Sequence, residues 1–212
     1  SAPTGGGLDI RRIWRLMGQA AGFRGYLLAR TVTQVGMSLP MGLFSIYRVR
    51  MLGASDGWLG ALLTIQQLTE VVAYLALGRV LRRSLSRQRL WLAALGMACF
   101  PLATAAATRP EMLVVPALIA GVFGAALNVF LTDSLIAVSP EEHLSLFVSV
   151  HQFVLQASSF VAPLLGAVLA DATSLRVALV VASAVRVVGA LGFWRSGRPP
   201  RGPATPPSPA GG

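Results

Sequence analysis

The sequence has no lysine, a single cysteine (Cys99) and two histidines, and 8 acidic residues stand against 18 basic ones, all of them arginine. A lone cysteine excludes an intramolecular disulfide and a cysteine-built metal cluster. Charge is scarce in general. Only 12% of residues are charged, against roughly 25% in soluble domains, while 54% are hydrophobic and the mean hydropathy is +0.66. That balance excludes a soluble globular domain and points to a membrane protein. A net charge of +10 is also found in nucleic-acid binders. Here, however, the arginines fall between apolar runs, where they orient a membrane protein, so no nucleic-acid partner is expected. No charged-then-apolar leader follows Ser1, and no signal peptide is expected.

Catalytic signatures are missing too. There is no phosphate-binding glycine loop, no zinc-ligand spacing and no nucleophile–base–acid set, so no metal and no cofactor is expected. Gly53-Ala54-Ser55-Asp56-Gly57 fits G-x-S-x-G. That elbow needs a strand before it, a helix after it and a histidine in reach. Lying between two apolar runs, the hit reads as a turn, and the protein is not expected to be an enzyme.

What is present is a ladder of apolar stretches. The most informative is Leu146–Asp171, long enough to cross a bilayer at ~1.5 Å per residue. Ser145, Ser149, Gln152, Gln156 and Ser159 recur along it at helical spacing and form a polar seam on one face. Lipid offers such a face no partner, so it should look at other helices or at a water-filled cavity. Five further spans are expected at Tyr26–Tyr47, Trp58–Val80, Leu90–Ala107, Met112–Ala137 and Leu175–Trp194. Prolines inside them (Pro40, Pro101, Pro116, Pro163) are read as tolerated within membrane helices. Residues 1–24 read as a cytoplasmic lead-in, with Leu8–Gly25 either an amphipathic interfacial helix or a frayed basic start. Residues 25–195 read as the transmembrane bundle. Residues 196–212, rich in proline and glycine, read as a disordered cytoplasmic tail.

Arginines set the orientation. Arg11, Arg12, Arg15 and Arg24, then Arg79, Arg82, Arg83, Arg87 and Arg89, then Arg195, Arg198 and Arg201 share one side if six spans alternate. By the positive-inside rule both termini are cytoplasmic, and the expected location is the cell (inner or plasma) membrane.

Polar residues are unevenly shared. The first span carries Gln34, Ser38 and Ser45; the second Gln66, Gln67 and Glu70; the fourth Asn128 and Thr132 with Asp133 beside them; the fifth its seam and His151. The third is nearly featureless, and the sixth has only Ser183 and Arg186. Four helices can thus surround a polar path while two support them. Gln34, Gln66, Glu70, Asn128, Gln152 and Gln156 are the candidate path residues. Glu70, near mid-span, is expected to be paired, protonated or wetted. It and His151 are the candidates for proton coupling; the alternative for Glu70 is a structural pair with Arg186 or Arg30, and for His151 a satisfied hydrogen-bonding group. Arg30, Asp133 and Arg186 are read as members of structural ion pairs, with Arg30 alternatively snorkelling to the interface.

Three passages carry a family resemblance. MLGASDGWLGALLTIQQL resembles the short outer loop and second helix of one half of a major facilitator superfamily transporter. GRVLRRSLSRQRL resembles that family's G-x-x-x-D-R-x-G-R-R loop, matching at Gly78, Arg83 and Arg87, with Arg82 in the aspartate's place and Leu85 in the second glycine's. SPEEH followed by FVAPLLGAVLAD resembles the run around the fifth helix of a half, matching at Pro163 and Gly166, with His143 and Leu144 where the family has arginine. The resemblance is to the C-terminal half. It implies an all-α, six-helix bundle, both termini cytoplasmic, that moves a small solute by alternating access with a second six-helix half, either a second copy or another chain. The alternative is a non-transporting membrane scaffold with the same fold.

Overall fold

The computed structural model describes residues 21–80, 89–139 and 143–196. The expected interfacial helix up to residue 20, the arginines of the loop at 81–88, the acidic pair Glu141 and Glu142, and the tail from residue 197 lie outside the described residues.

The described residues are all-helical. In order they form α1 (Ala21–Ser38), α2 (Met41–Ile46) running into a π-helical turn (Tyr47–Met51), α3 (Asp56–Val80), α4 (Leu90–Ala106), a 3-10 turn (Pro110–Leu113) leading into α5 (Val114–Val138), α6 (Leu144–Ala172) and α7 (Leu175–Ser196). Four segments are long and apolar enough to cross a membrane: Asp56–Arg79, Pro110–Val138, Leu144–Ala172 and Leu175–Ser196. The apolar α4 is shorter, at 17 residues.

The first expected span is not one continuous helix. It breaks at Leu39-Pro40 into α1 and α2, which corrects the reading of Pro40 as silently tolerated. Proline has no N–H to donate and its ring crowds the carbonyl four residues back, here that of Gly36. The ladder resumes at once on either side, with Leu39 N–H donating to Val35 O (2.8 Å) and Phe44 N–H to Pro40 O (3.0 Å).

Packing places α4 and α7 against each other. The main neighbours then run α3–α5–α4–α7–α1–α6, and α1 also touches α5. Exchanging α1 with α5, α3 with α6 and α4 with α7 maps these main contacts onto themselves, the pattern of a three-plus-three internal repeat. Small residues let α1 and α7 approach closely. A side-chain carbon at Gly36 would meet Arg186 and Val185, one at Gly189 would meet Thr33, and one at Gly192 would meet Ala29. The main core gathers Phe23, Tyr26, Leu127, Phe130, Phe147 and Phe193. The flanking helices α3 and α6 bury least. Leu68, Val72, Phe153, Phe160, Leu164 and Val168 are all largely exposed, a coat that suits lipid and not water.

The end of the bundle where α2 meets α3 is pinned by two aromatic side chains. Tyr47 OH lies 3.1 Å from both the Ala105 and Ala107 carbonyls and accepts from Arg176 Nε at 3.2 Å. Trp58 Nε1 donates to Pro110 O at 2.9 Å. Ser55 of the G-x-S-x-G hit accepts the Trp58 backbone N–H through its Oγ at 3.3 Å, a helix-capping role. Gly53 supplies the positive φ (64°) of the turn before it.

Candidate functional site

Two polar rungs cross between helices. On α1, Gln34 and Ser38 stand one turn apart on the side facing α6. Gln34 Nε2 donates to Ser159 Oγ at 2.7 Å and to Ser38 Oγ at 3.2 Å, and the Ser38 and Ser159 hydroxyls lie 3.3 Å apart. Gly166 brings the backbones together above this rung, since a side-chain carbon there would collide with the Leu39 carbonyl.

The second rung joins α3 to α5. Tyr74 OH donates to Glu70 Oε1 at 3.1 Å and accepts from Asn128 Nδ2 at 3.3 Å. An open depression of about 310 Å³ adjoins it, lined by Tyr74, Asn128, Val129, Thr132 and Asp133. Here Gly121 is the close-approach residue, against the Gln66 carbonyl and Thr69. The exchange that relates the helices pairs the α1–α6 contact with the α5–α3 contact, so each of the two contacts carries a polar rung of its own.

Gln66 is half-buried, whereas Gln152 and Gln156 are exposed on α6. The α6 seam therefore divides. Ser159 is engaged by α1, while Ser145, Ser149, Gln152 and Gln156 look outward. The buried positions Phe147, His151, Leu155, Ala162 and Gly166 form the adjoining stripe. Seam and packing stripe are thus neighbouring faces of one helix.

These observations converge with one comparison. A family model described as Major Facilitator Superfamily matches residues 26–212. The chain belongs to the major facilitator superfamily. Members of this superfamily are transporters and not enzymes, so the protein is a multi-pass membrane protein of the transporter kind. No curated protein and no solved structure matches it.

In this superfamily member the ionisable residues lie in different surroundings. Arg186 is 2% exposed, yet no carboxylate meets it among the described residues. Its Nε donates to Gly36 O at 3.0 Å and its Nη1 to Met97 O at 2.9 Å. Both carbonyls lie four residues before a proline, Pro40 and Pro101, and each has therefore lost its ordinary helical donor. One guanidinium fork replaces both. The Phe100 ring, 5.8 Å away, adds a cation–π contact, and Ser183 Oγ donates to the next carbonyl, Ala98 O, at 2.6 Å. Arg186 is thus held by backbone, in place of the ion pair expected for it.

Asp133 is exposed on the rim of the depression, with no ion pair among the described residues. Arg30 does not snorkel free, because its Nε and Nη1 are buried and unpaired. Nor is Glu70 paired with either arginine; its partner is Tyr74. Tyr74 is the functional candidate missed from sequence. Its position one turn after Glu70 is a readable i, i+4 signal.

Proposed function

We propose that this chain is one half of an alternating-access carrier. Its solute path runs over the polar faces of α1, α3, α5 and α6, with α4 and α7 as backing. The observation that carries this reading is the pair of polar rungs, Gln34–Ser38–Ser159 and Glu70–Tyr74–Asn128. They sit on the four helices with polar stripes, beside an open depression and beside the exposed Gln152 and Gln156. In this reading residues 25–195 make six crossings, the broken α1–α2 unit being the first and α4 the third. Residues 1–24 and 196–212 lie in the cytoplasm, and the cell membrane is the site of action. A second six-helix half, either another copy or another chain, covers the polar faces.

Glu70 is the residue assigned to solute or proton contact. It is half-buried and hydrogen-bonded to a hydroxyl, with no cation neutralising it among the described residues. A carboxylate within a membrane helix marks a solute or ion path by default. His151 is the second candidate for proton coupling.

The test is uptake into proteoliposomes across a panel of small solutes, with and without an imposed pH gradient. Glu70→Gln and Gln152→Ala are expected to abolish uptake while the purified variants keep their helical content and melting behaviour. Normal uptake in both variants removes these residues from the mechanism. A chain that moves no solute yet retains a stable protein partner is a scaffold.

A further inference from the structure

The seam between α1 and α6 has a second station that hydrogen bonding within the chain does not complete. Tyr26, Arg30, Gln34 and Ser38 follow one another at four-residue steps on α1, and His151, Leu155 and Ser159 do so on α6. One end of this ladder is the closed Gln34–Ser38–Ser159 rung. At the other end the Tyr26 ring stacks on His151, with centroids 5.9 Å apart and planes at 26°. The Tyr26 hydroxyl donates to Leu131 O on α5 at 2.9 Å and is not a hydrogen-bond partner of either imidazole nitrogen. Arg30 follows Tyr26 by one turn on α1, on the same face that packs against the His151 ring.

His151 is 6% exposed, and neither ring nitrogen has a hydrogen-bond partner. Arg30 buries its Nε and Nη1, also without partners, although the residue as a whole is only half-buried and keeps an approach from outside. Such groups rarely stay empty in a folded protein. No carboxylate of the described residues answers them, since Glu70 is bound to Tyr74 on α3 and Asp133 lies on the α5 rim.

We propose that Arg30 and His151 form a binding site for an oxyanion, a carboxylate or phosphate group that enters the α1–α6 seam. The reasoning is one of donor count. A guanidinium offers only donors and an imidazole offers at least one. A group that only accepts, through two or three oxygens, can engage both at once with charge-assisted hydrogen bonds. A cation is repelled, and a neutral amide leaves donors facing donors. The inference goes beyond the transport reading, because it concerns binding by the purified chain and not movement of the ligand.

The experiment uses the full chain purified in a maltoside detergent without added phospholipid, with its histidines labelled in the ring nitrogens. Only two histidines, His143 and His151, contribute signals. Sodium phosphate and sodium acetate are titrated against sodium chloride at constant ionic strength and neutral pH. The expected result is a saturable shift of the His151 resonances with phosphate or acetate and none at His143. In Arg30→Gln the apparent affinity should fall by roughly tenfold or more, the scale of a lost charge-assisted pair. Arg30→Lys should recover part of it, and Arg109→Gln, which removes an exposed arginine elsewhere, should change nothing.

A second arm places the chain in phosphatidylglycerol nanodiscs. A His151 shift there, with none from the free ions, assigns the oxyanion to a lipid headgroup; a shift with the free ions assigns it to a solute. No response in either arm, or an equal response in Arg30→Gln, overturns the proposal and leaves an internal water as the occupant. A chain that binds phosphate but moves no solute refutes the transport reading alone. A chain that transports but whose His151 ignores every anion refutes this one alone.

Discussion

Replacing Arg186 with leucine tests whether one side chain stands in for two backbone donors. The substitution strips Gly36 O and Met97 O of their donors, at about 1–3 kcal/mol for each buried unpaired group. It also relieves the burial of a charge, which insertion scales put at ~2.5–3.5 kcal/mol. The two effects are of similar size and opposite sign, so the single variant decides nothing. The cycle with Pro40→Ala does. Alanine restores an N–H aimed at Gly36 O. With Arg186 in place that N–H competes for an acceptor already taken, and without Arg186 it fills an empty one. Pro40→Ala is therefore predicted to be less destabilising in Arg186→Leu than in the parent, by about 1 kcal/mol, the net value of one hydrogen bond. Pro101→Ala should show the same coupling through Met97 O. Arg186→Lys keeps the charge but not the planar fork, and should behave more like leucine than like arginine. The assay is reversible unfolding in mixed micelles, followed by circular dichroism. Additivity of Pro40→Ala and Arg186→Leu within ~0.3–0.5 kcal/mol, the usual behaviour of independent sites, would falsify the account.

Other expectations follow from the packing and the rungs. Gly166→Val should drive α6 away from α1 by collision with the Leu39 carbonyl, lowering the melting temperature and raising the reactivity of a cysteine placed at Ser159. Trp58→Phe removes the bond to Pro110 O and should cost about 0.5–1.5 kcal/mol in the same unfolding assay. Tyr74→Phe uncouples Glu70 from Asn128 and should lower the rate of uptake while leaving unfolding nearly unchanged. An unaltered rate would take Tyr74 out of the path. Gly121→Leu should part α5 from α3 and abolish uptake together with stability, since its side chain would meet the Gln66 carbonyl.

Much of the architecture was legible because apolar length and helical period are local properties. The expected second, third and sixth spans start within two residues of α3, α4 and α7, and the polar stripes do fall on α1, α3, α5 and α6. Non-local chemistry was not legible. Whether Pro40 breaks a helix depends on what happens to the Gly36 carbonyl, and its new donor lies 150 residues away. Arg186 called for a partner, but nothing in its neighbourhood says that two proline-freed carbonyls will supply it. The division of the α6 seam depends on how far α6 rotates against α1, which Gly166 and Leu39 decide by contact. Tyr26 and His151 stack for the same reason, although the four-residue steps through Tyr26, Arg30, Gln34 and Ser38 were there to be counted.

The close union of α1 and α7 also has a consequence in time. The chain is made from its N-terminus, so α1 enters the membrane well before the helix that completes it exists. The carbonyl of Gly36 waits 150 residues for Arg186, roughly 8–30 s at ordinary synthesis rates of about 5–20 residues per second. Through that interval the Pro40 break is an unsealed seam in a nascent bundle, and α1 is a recognisable substrate for membrane chaperones and proteases. Synthesis of α7 is the event that ends this vulnerability. A nascent chain halted before Leu175 should accordingly be cleared quickly, whereas one halted after Ser196 should persist, and pulse-chase comparison of the two stalled lengths reads the difference directly.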